Sequence, residues 1–124
     1  MTTERPLVLV IDDVEAVRKL IEELLLYAGY RTATAADGAA GLKICRETAV
    51  SLVITDLVMP EMEGFETMAA LRREFPGLPI MAVSGTADNL LDAARFLGAS
   101  ATIAKPFDAK VLLATVHRLL QKVE

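Results

Sequence analysis

Three carboxylates and one lysine stand out in this 124-residue chain because each follows directly on a short apolar run. Leu7–Ile11 ends on Asp12 and Asp13, Leu52–Thr55 ends on Asp56, and the strand that closes at Ala104 ends on Lys105. Charge is costly to bury without a partner, so an apolar strand that ends on an acid usually delivers that acid to a site. Gathered at one place, Asp12, Asp13 and Asp56 would repel: two unit charges about 4 Å apart cost about 4 kcal/mol at an effective dielectric of about 20. Lys105 offers one compensating charge, and an oxygen-seeking divalent ion would offer two. Carboxylates, a backbone carbonyl and waters are ligands that Mg²⁺ accepts, whereas zinc and copper favour His and Cys. The single His117 and the single Cys45 lie far from these acids in sequence. A carboxylate held beside a lysine and such an ion is suited to accept a phosphoryl group, because that transfer needs mainly positioning and charge neutralisation. Asp56 is then the nucleophile and Asp12 and Asp13 the holders of the ion. Lys105 pairs with one phosphoryl oxygen, and the Ser84 hydroxyl bonds another.

These residues need a scaffold that brings distant strand ends together. Strand patterns at Leu7–Ile11, Arg31–Ala35, Leu52–Thr55, Ile80–Ser84 and Ala101–Ala104 alternate with helical patterns along the chain. The first helix, about Val14 to Ala28, sets Val14, Val17, Leu20, Ile21, Leu24, Leu25 and Ala28 on one stripe, with Arg18, Lys19, Glu22 and Glu23 mostly opposite. Gly29 is its stop. The second helix starts near a capping Asp37 and is rich in Gly and Ala, so packing must hold it. The third spans about Glu63 to Phe75, before Pro76 and Gly77. Asp88 or Thr86 caps a fourth that Gly98 ends, and Asp108 caps a fifth through Lys122. Parallel strands joined through helices by right-handed crossovers imply an α/β fold, a parallel sheet covered on both faces. Ligands in such sheets bind beyond the carboxyl ends of the strands, which is where Asp12, Asp13, Asp56, Ser84 and Lys105 fall.

The composition fits one soluble globular domain, 53% hydrophobic and 24% charged. A net charge of −4 with scattered Lys and Arg offers no basic field, which disfavours direct nucleic-acid binding. No apolar run approaches a membrane span and the N-terminus carries no signal pattern, so a cytoplasmic protein is expected. Cys45 reads as a small core residue and His117 as a solvated or packed one.

Four ordered motifs make the chain resemble the receiver domain of bacterial two-component response regulators. They are Asp12-Asp13, Asp56-Leu-Val-Met-Pro60 with Gly64, Ser84-Gly-Thr86, and Lys105-Pro-Phe107. Any one alone is weak; together, in order on the right elements, they are specific. The resemblance covers about residues 7–120 of a single domain spanning 1–124. It implies a doubly wound five-stranded sheet of order 2-1-3-4-5 with five helices. It also implies phosphorylation of Asp56 by a sensor histidine kinase or histidine phosphotransfer protein, and Mg²⁺ held by Asp12, Asp13, Asp56 and the backbone carbonyl of Val58. Ser84 matches the switch Ser/Thr of the family, and the bond from Lys105 to Pro106 is commonly cis in it. Many receivers carry an aromatic switch residue three positions before the lysine; here that position is Thr102. Val58 and Thr86 match positions that tune the attacking water, and an apolar Val58 implies slow autodephosphorylation.

Bland readings stand beside these. Asp12 and Asp13 could cap the first helix, Ser84-Gly-Thr86 could be an ordinary turn, and Lys105 a solvated residue. An unphosphorylated receiver-like scaffold usually loses an acid or the lysine, and the full set is present here. A haloacid-dehalogenase-type phosphohydrolase would place D-x-D after its first strand, where this chain has adjacent acids followed by Val14. The domain is thus expected to be a phosphoacceptor switch and not a conventional enzyme. With no room for an effector in this chain, its output would pass to a downstream protein or to an effector domain lying outside it. The apolar Leu90, Leu91, Phe96, Val111 and Leu112 of the fourth and fifth helices make that face the candidate partner or homodimer surface.

Overall fold

The computed structural model of this chain describes residues 5–57, 63–85 and 88–121. Strands β1 (Leu7–Ile11), β2 (Arg31–Ala35), β3 (Leu52–Asp56), β4 (Ile80–Ser84) and β5 (Ala101–Ala104) alternate with helices α1 (Glu15–Tyr27), α2 (Gly38–Glu47), α3 (Glu63–Glu74), α4 (Asp88–Phe96) and α5 (Ala109–Gln121). All strand pairings are parallel, and the order is β2-β1-β3-β4-β5, as expected. Among the described residues no helix is long and apolar enough to cross a membrane.

β1, β3 and β4 are buried at every position, because both faces of the sheet are covered. Strand alternation splits their side chains between two cores. Val8, Val10, Leu52, Ile54, Met81, Val83 and Ile103 pack with Ile21 and Leu25 of α1 and with Leu112, Val116 and Leu119 of α5. Leu9, Ile11, Val53, Ile80 and Ala82 pack instead with Cys45 of α2, Met68 and Leu71 of α3, and Leu91 and Ala94 of α4. The Cys45 thiol is buried, and burial first, then the nearby Glu74 carboxylate, pushes its pKa up, so it sits in the core as an inert residue. The weak α2 is held by that packing, by its Asp37 cap, which accepts the Ala40 N–H at 2.8 Å, and by a two-pronged Arg46–Glu74 ion pair to α3.

Two expectations need correction. The α1 stripe is narrower than its apolar pattern: Ile21 and Leu25 are buried, while Val14 and Leu20 are exposed, because the sheet covers only the centre of the helix. The supposed surplus on α4 and α5 is also smaller. Leu91 and Leu112 belong to the cores and Leu90 is half-buried, whereas Phe96, at 90% exposure, and Val111 do face solvent. Periodicity cannot tell which edge of an apolar stripe the neighbouring elements reach.

At the pole opposite the acids, Arg72 joins three segments. Its Nη1 donates to the Pro76 and Leu78 carbonyls at 2.8 and 3.0 Å, and its Nη2 to the Gly98 carbonyl at 2.8 Å. Gly98 has φ +110°, and a Cβ there would also stand 3.1 Å from Arg72 Nε, so the turn after α4 needs glycine twice over. Arg72→Ala is expected to cost about 2 kcal/mol, since hydrogen bonds to a charged group contribute about 1.5–3 kcal/mol each and water replaces part of the loss. Urea denaturation reads this directly; an unchanged midpoint would mean that solvent replaces the guanidinium at no cost.

Candidate functional site

The register of the sheet sets Ile11 against Thr55, so Asp12 and Asp56 leave adjacent strands side by side. Asp56 pairs with Val83 and Ser84 with Ala104, which brings Ser84 and Lys105 to the same edge. Backbone bonds extend the ladder there: Asp12 N–H to Ala35 O at 3.1 Å, Leu57 N–H to Val83 O at 2.9 Å, and Lys105 N–H to Ser84 O at 2.8 Å. The side chains at this edge are thus held by sheet geometry, which is stiffer than a loop.

Asp12 and Asp56 are 2% and 4% exposed, Ser84 is wholly buried, and Asp13 is exposed. One carboxylate oxygen from each of Asp12, Asp13 and Asp56 lies within 4.8 Å of the others. Lys105 Nζ stands between the two buried acids, 3.4 Å from Asp12 Oδ2 and 3.6 Å from Asp56 Oδ1. Its stem passes Gly85, where a Cβ would lie 3.4 Å from Lys105 Cβ. The Lys105–Pro106 peptide is cis. Asp12 does not cap α1: the N-cap is Val14, with no side-chain cap bond, and Asp12 Oδ1 instead accepts the Val14 N–H at 2.9 Å in the preceding turn.

Three ionised acids and one ammonium leave a net charge of −2 in a setting where two of the acids have almost no water. An all-oxygen donor set with that deficit fits a hard divalent cation such as Mg²⁺, which Asp12, Asp13 and Asp56 could hold through one carboxylate oxygen each. Val58 and Thr86 lie outside the described residues. Thr102 lies at mid-strand, paired with Ala82 and half-buried, one strand period back from the Ser84–Ala104 pair. Cys45 is elsewhere in the core, and His117, exposed on α5, has its Nδ1 3.5 Å from the Tyr30 hydroxyl.

Residues 8–117 match the family described as response regulator receiver domain. The chain belongs to this receiver family. It is 36% identical over 121 residues to the transcriptional regulatory protein AfsQ1 of Streptomyces coelicolor, covering 96% of this chain and 53% of that protein. Among solved structures it is similar to the chemotaxis protein CheY4 of Vibrio cholerae, with TM-score 0.86 and 31% identity over 93% of this chain and 98% of that one. A CheY-like receiver from Methanospirillum hungatei superposes with TM-score 0.90 at 27% identity, covering 96% of both chains. The receiver spans about half the length of the first curated relatives it matches. Receivers are phosphoacceptor switches of two-component signalling, interacting with histidine kinases and effector domains, and the acidic cluster of this one is of the kind in which receivers bind Mg²⁺.

Two contacts of this receiver's site escape the sequence. Arg18, assigned by helical periodicity to the solvent side of α1, turns back so that its Nη1 donates to the Asp12 carbonyl at 2.8 Å. The Ala35 carbonyl, at the end of β2, takes the Asp12 N–H. The Arg18 bond follows no helical period, so no pattern in the sequence announces it, and the Ala35 bond continues the β1–β2 ladder, whose register is fixed only when the strands pair.

Proposed function

We propose that this receiver accepts a phosphoryl group on Asp56 from a phosphohistidine of a sensor histidine kinase or histidine phosphotransfer protein. The observation that carries this reading is the position of Lys105 Nζ between Asp12 and Asp56 with Asp13 in reach of both. An Asp56 carboxylate oxygen attacks phosphorus in line with the donor imidazole. The new P–O bond forms as the P–N bond breaks, and the electron pair returns to the imidazole nitrogen. Lys105 pairs with one phosphoryl oxygen and the Ser84 hydroxyl donates to another, while Asp12, Asp13, Asp56 and the Val58 carbonyl would hold Mg²⁺. When bound, that ion supplies neutralisation of the charge on the phosphoryl oxygens.

The donor reaches the acids beside an apolar groove of about 450 Å³ lined by Val17, Leu20, Gly85, Lys105, Pro106 and Phe107. The exposed Leu20 edge of α1 forms one wall of that groove. Release of the phosphoryl group is slow, because the apolar Val58 offers no hydrogen bond to orient water. Ser84 moves toward the phosphoryl group and repositions the segment from Gly85 to Asp88. With Thr102 in place of an aromatic ring, little change passes along β5. The exposed Phe96 and Val111 of α4 and α5 then serve a downstream partner, an effector domain or a second copy of the receiver. Residues 1–124 act together as one receiver domain in the cytoplasm.

Intact-mass measurement after incubation with acetyl phosphate tests the chemistry. The expected result is a single phosphoryl adduct that requires Mg²⁺ and disappears in Asp56→Asn. An adduct that survives in that variant would place the acceptor elsewhere, and many turnovers of a small phosphate ester would make the protein a hydrolase.

A further inference from the structure

Every polar atom of Asp12 is engaged. Its N–H donates to Ala35 O at 3.1 Å, Oδ1 accepts the Val14 N–H at 2.9 Å, Oδ2 accepts from Lys105 Nζ at 3.4 Å, and its carbonyl accepts from Arg18 Nη1 at 2.8 Å. Two of these partners are backbone groups and one is the lysine already given a role. Arg18 is the remaining one, a half-buried side chain near the start of α1. The Asp12 carbonyl precedes the N-cap Val14, so α1 itself has no donor for it. A buried carbonyl left unpaired is costly, and an arginine is a strong donor to it.

We infer that Arg18 is a positioning residue for the acidic cluster. The carbonyl it grips belongs to the peptide unit that joins Asp12 to Asp13. Fixing that plane fixes ψ of Asp12 and φ of Asp13, and so the direction in which the Asp13 carboxylate leaves the turn. It also holds the Val14 N–H where Asp12 Oδ1 receives it. Two effects of removing Arg18 oppose each other for a bound cation: loss of a nearby positive charge favours binding, and loss of the fixed turn disfavours it. Cation affinity alone therefore does not report the role, whereas the turn itself and the phosphoryl transfer rate do.

This inference rests on the phosphoacceptor reading for its rate arm but not for its spectroscopic arm. In Arg18→Met, metal-free protein should show shifted Asp13 and Val14 amide resonances and Val14 hydrogen exchange faster by about tenfold, the scale of one charge-assisted hydrogen bond. The Mg²⁺-dependent adduct with acetyl phosphate should form about tenfold more slowly for the same reason. Arg18→Lys, which keeps a cation and a donor, should recover part of both, and dispersed amide spectra will establish that each variant is folded. Exchange and rate both within about twofold of wild type in Arg18→Met would overturn the inference. So would a slowed reaction with the Val14 amide unmoved, since the effect would then not run through the turn. A wild-type protein that forms no adduct would sink the phosphoacceptor reading, and the Val14 measurement would still decide whether Arg18 holds the turn.

Discussion

Lys105→Met is expected to destabilise the receiver by about 3 kcal/mol in EDTA, the lower end of the cost of leaving a buried charge without its partner. Methionine keeps the length and volume of the stem and removes only the charge. Asp12 and Asp56, at 2% and 4% exposure, would then lose the ammonium that stands 3.4 and 3.6 Å from their carboxylate oxygens. The lower end applies because Lys105 is itself 23% exposed, so water offsets some of the loss. Excess Mg²⁺ should narrow the difference from wild type, since an ion that binds only the native state stabilises it by about 2.7 kcal/mol at 100 times its Kd. Urea denaturation of both proteins, with EDTA and with Mg²⁺, measures the two quantities. Equal stability in EDTA would show that the buried acids do not depend on Lys105. Adduct formation should fall in the variant even with Mg²⁺ present, because one of the cations facing the phosphoryl oxygens is gone.

Gly64→Ala should be a strongly damaging change for a single methyl group. A Cβ at Gly64 would lie 2.6 Å from the Asp56 carbonyl oxygen, from Leu57 Cα and from the Leu57 carbonyl oxygen, all backbone atoms that no rotamer change can move. Alanine is the better helix former by about 1 kcal/mol, and Gly64 lies within α3, so propensity alone predicts a gain. The clash should outweigh it and leave a net loss of about 2–3 kcal/mol, the scale of overpacking against a fixed core. Because the displaced atoms belong to Asp56 and the residue after it, adduct formation should slow as well. Gly77→Ala is the control: nothing lies within 4 Å of a Cβ there, and its stability should stay within about 0.5 kcal/mol of wild type. Equal stabilities for the two variants would mean that α3 can draw back from the end of β3 at little cost.

Most of the architecture is legible in the sequence because its signals are local. Short apolar runs, helical stripes and stops such as Gly29 and Gly98, both at positive φ, each depend on residues close along the chain. The acids and Lys105 are legible for a related reason, since a charge directly after a buried strand has few uses besides a site. Partner surfaces are less so: Leu112 and Val111 are adjacent apolar residues of α5, yet the first is core and the second faces solvent. Their fates depend on where the sheet lies beneath the helix.

By itself, then, the sequence determines that five βα units form a parallel sheet and that Asp12, Asp13, Asp56, Ser84 and Lys105 stand at its carboxyl edge. Tertiary structure alone decides how they meet. The register of Ile11 with Thr55 makes Asp12 and Asp56 neighbours. The folded chain sets Lys105 Nζ between them. It also turns Arg18 back onto the Asp12 carbonyl and brings Gly64 against the end of β3. The physical reason is range. Propensity and periodicity act over a few residues and are written into the local chain, whereas Coulomb attraction, hydrogen bonding and close packing act on distances that exist only once the strands have paired.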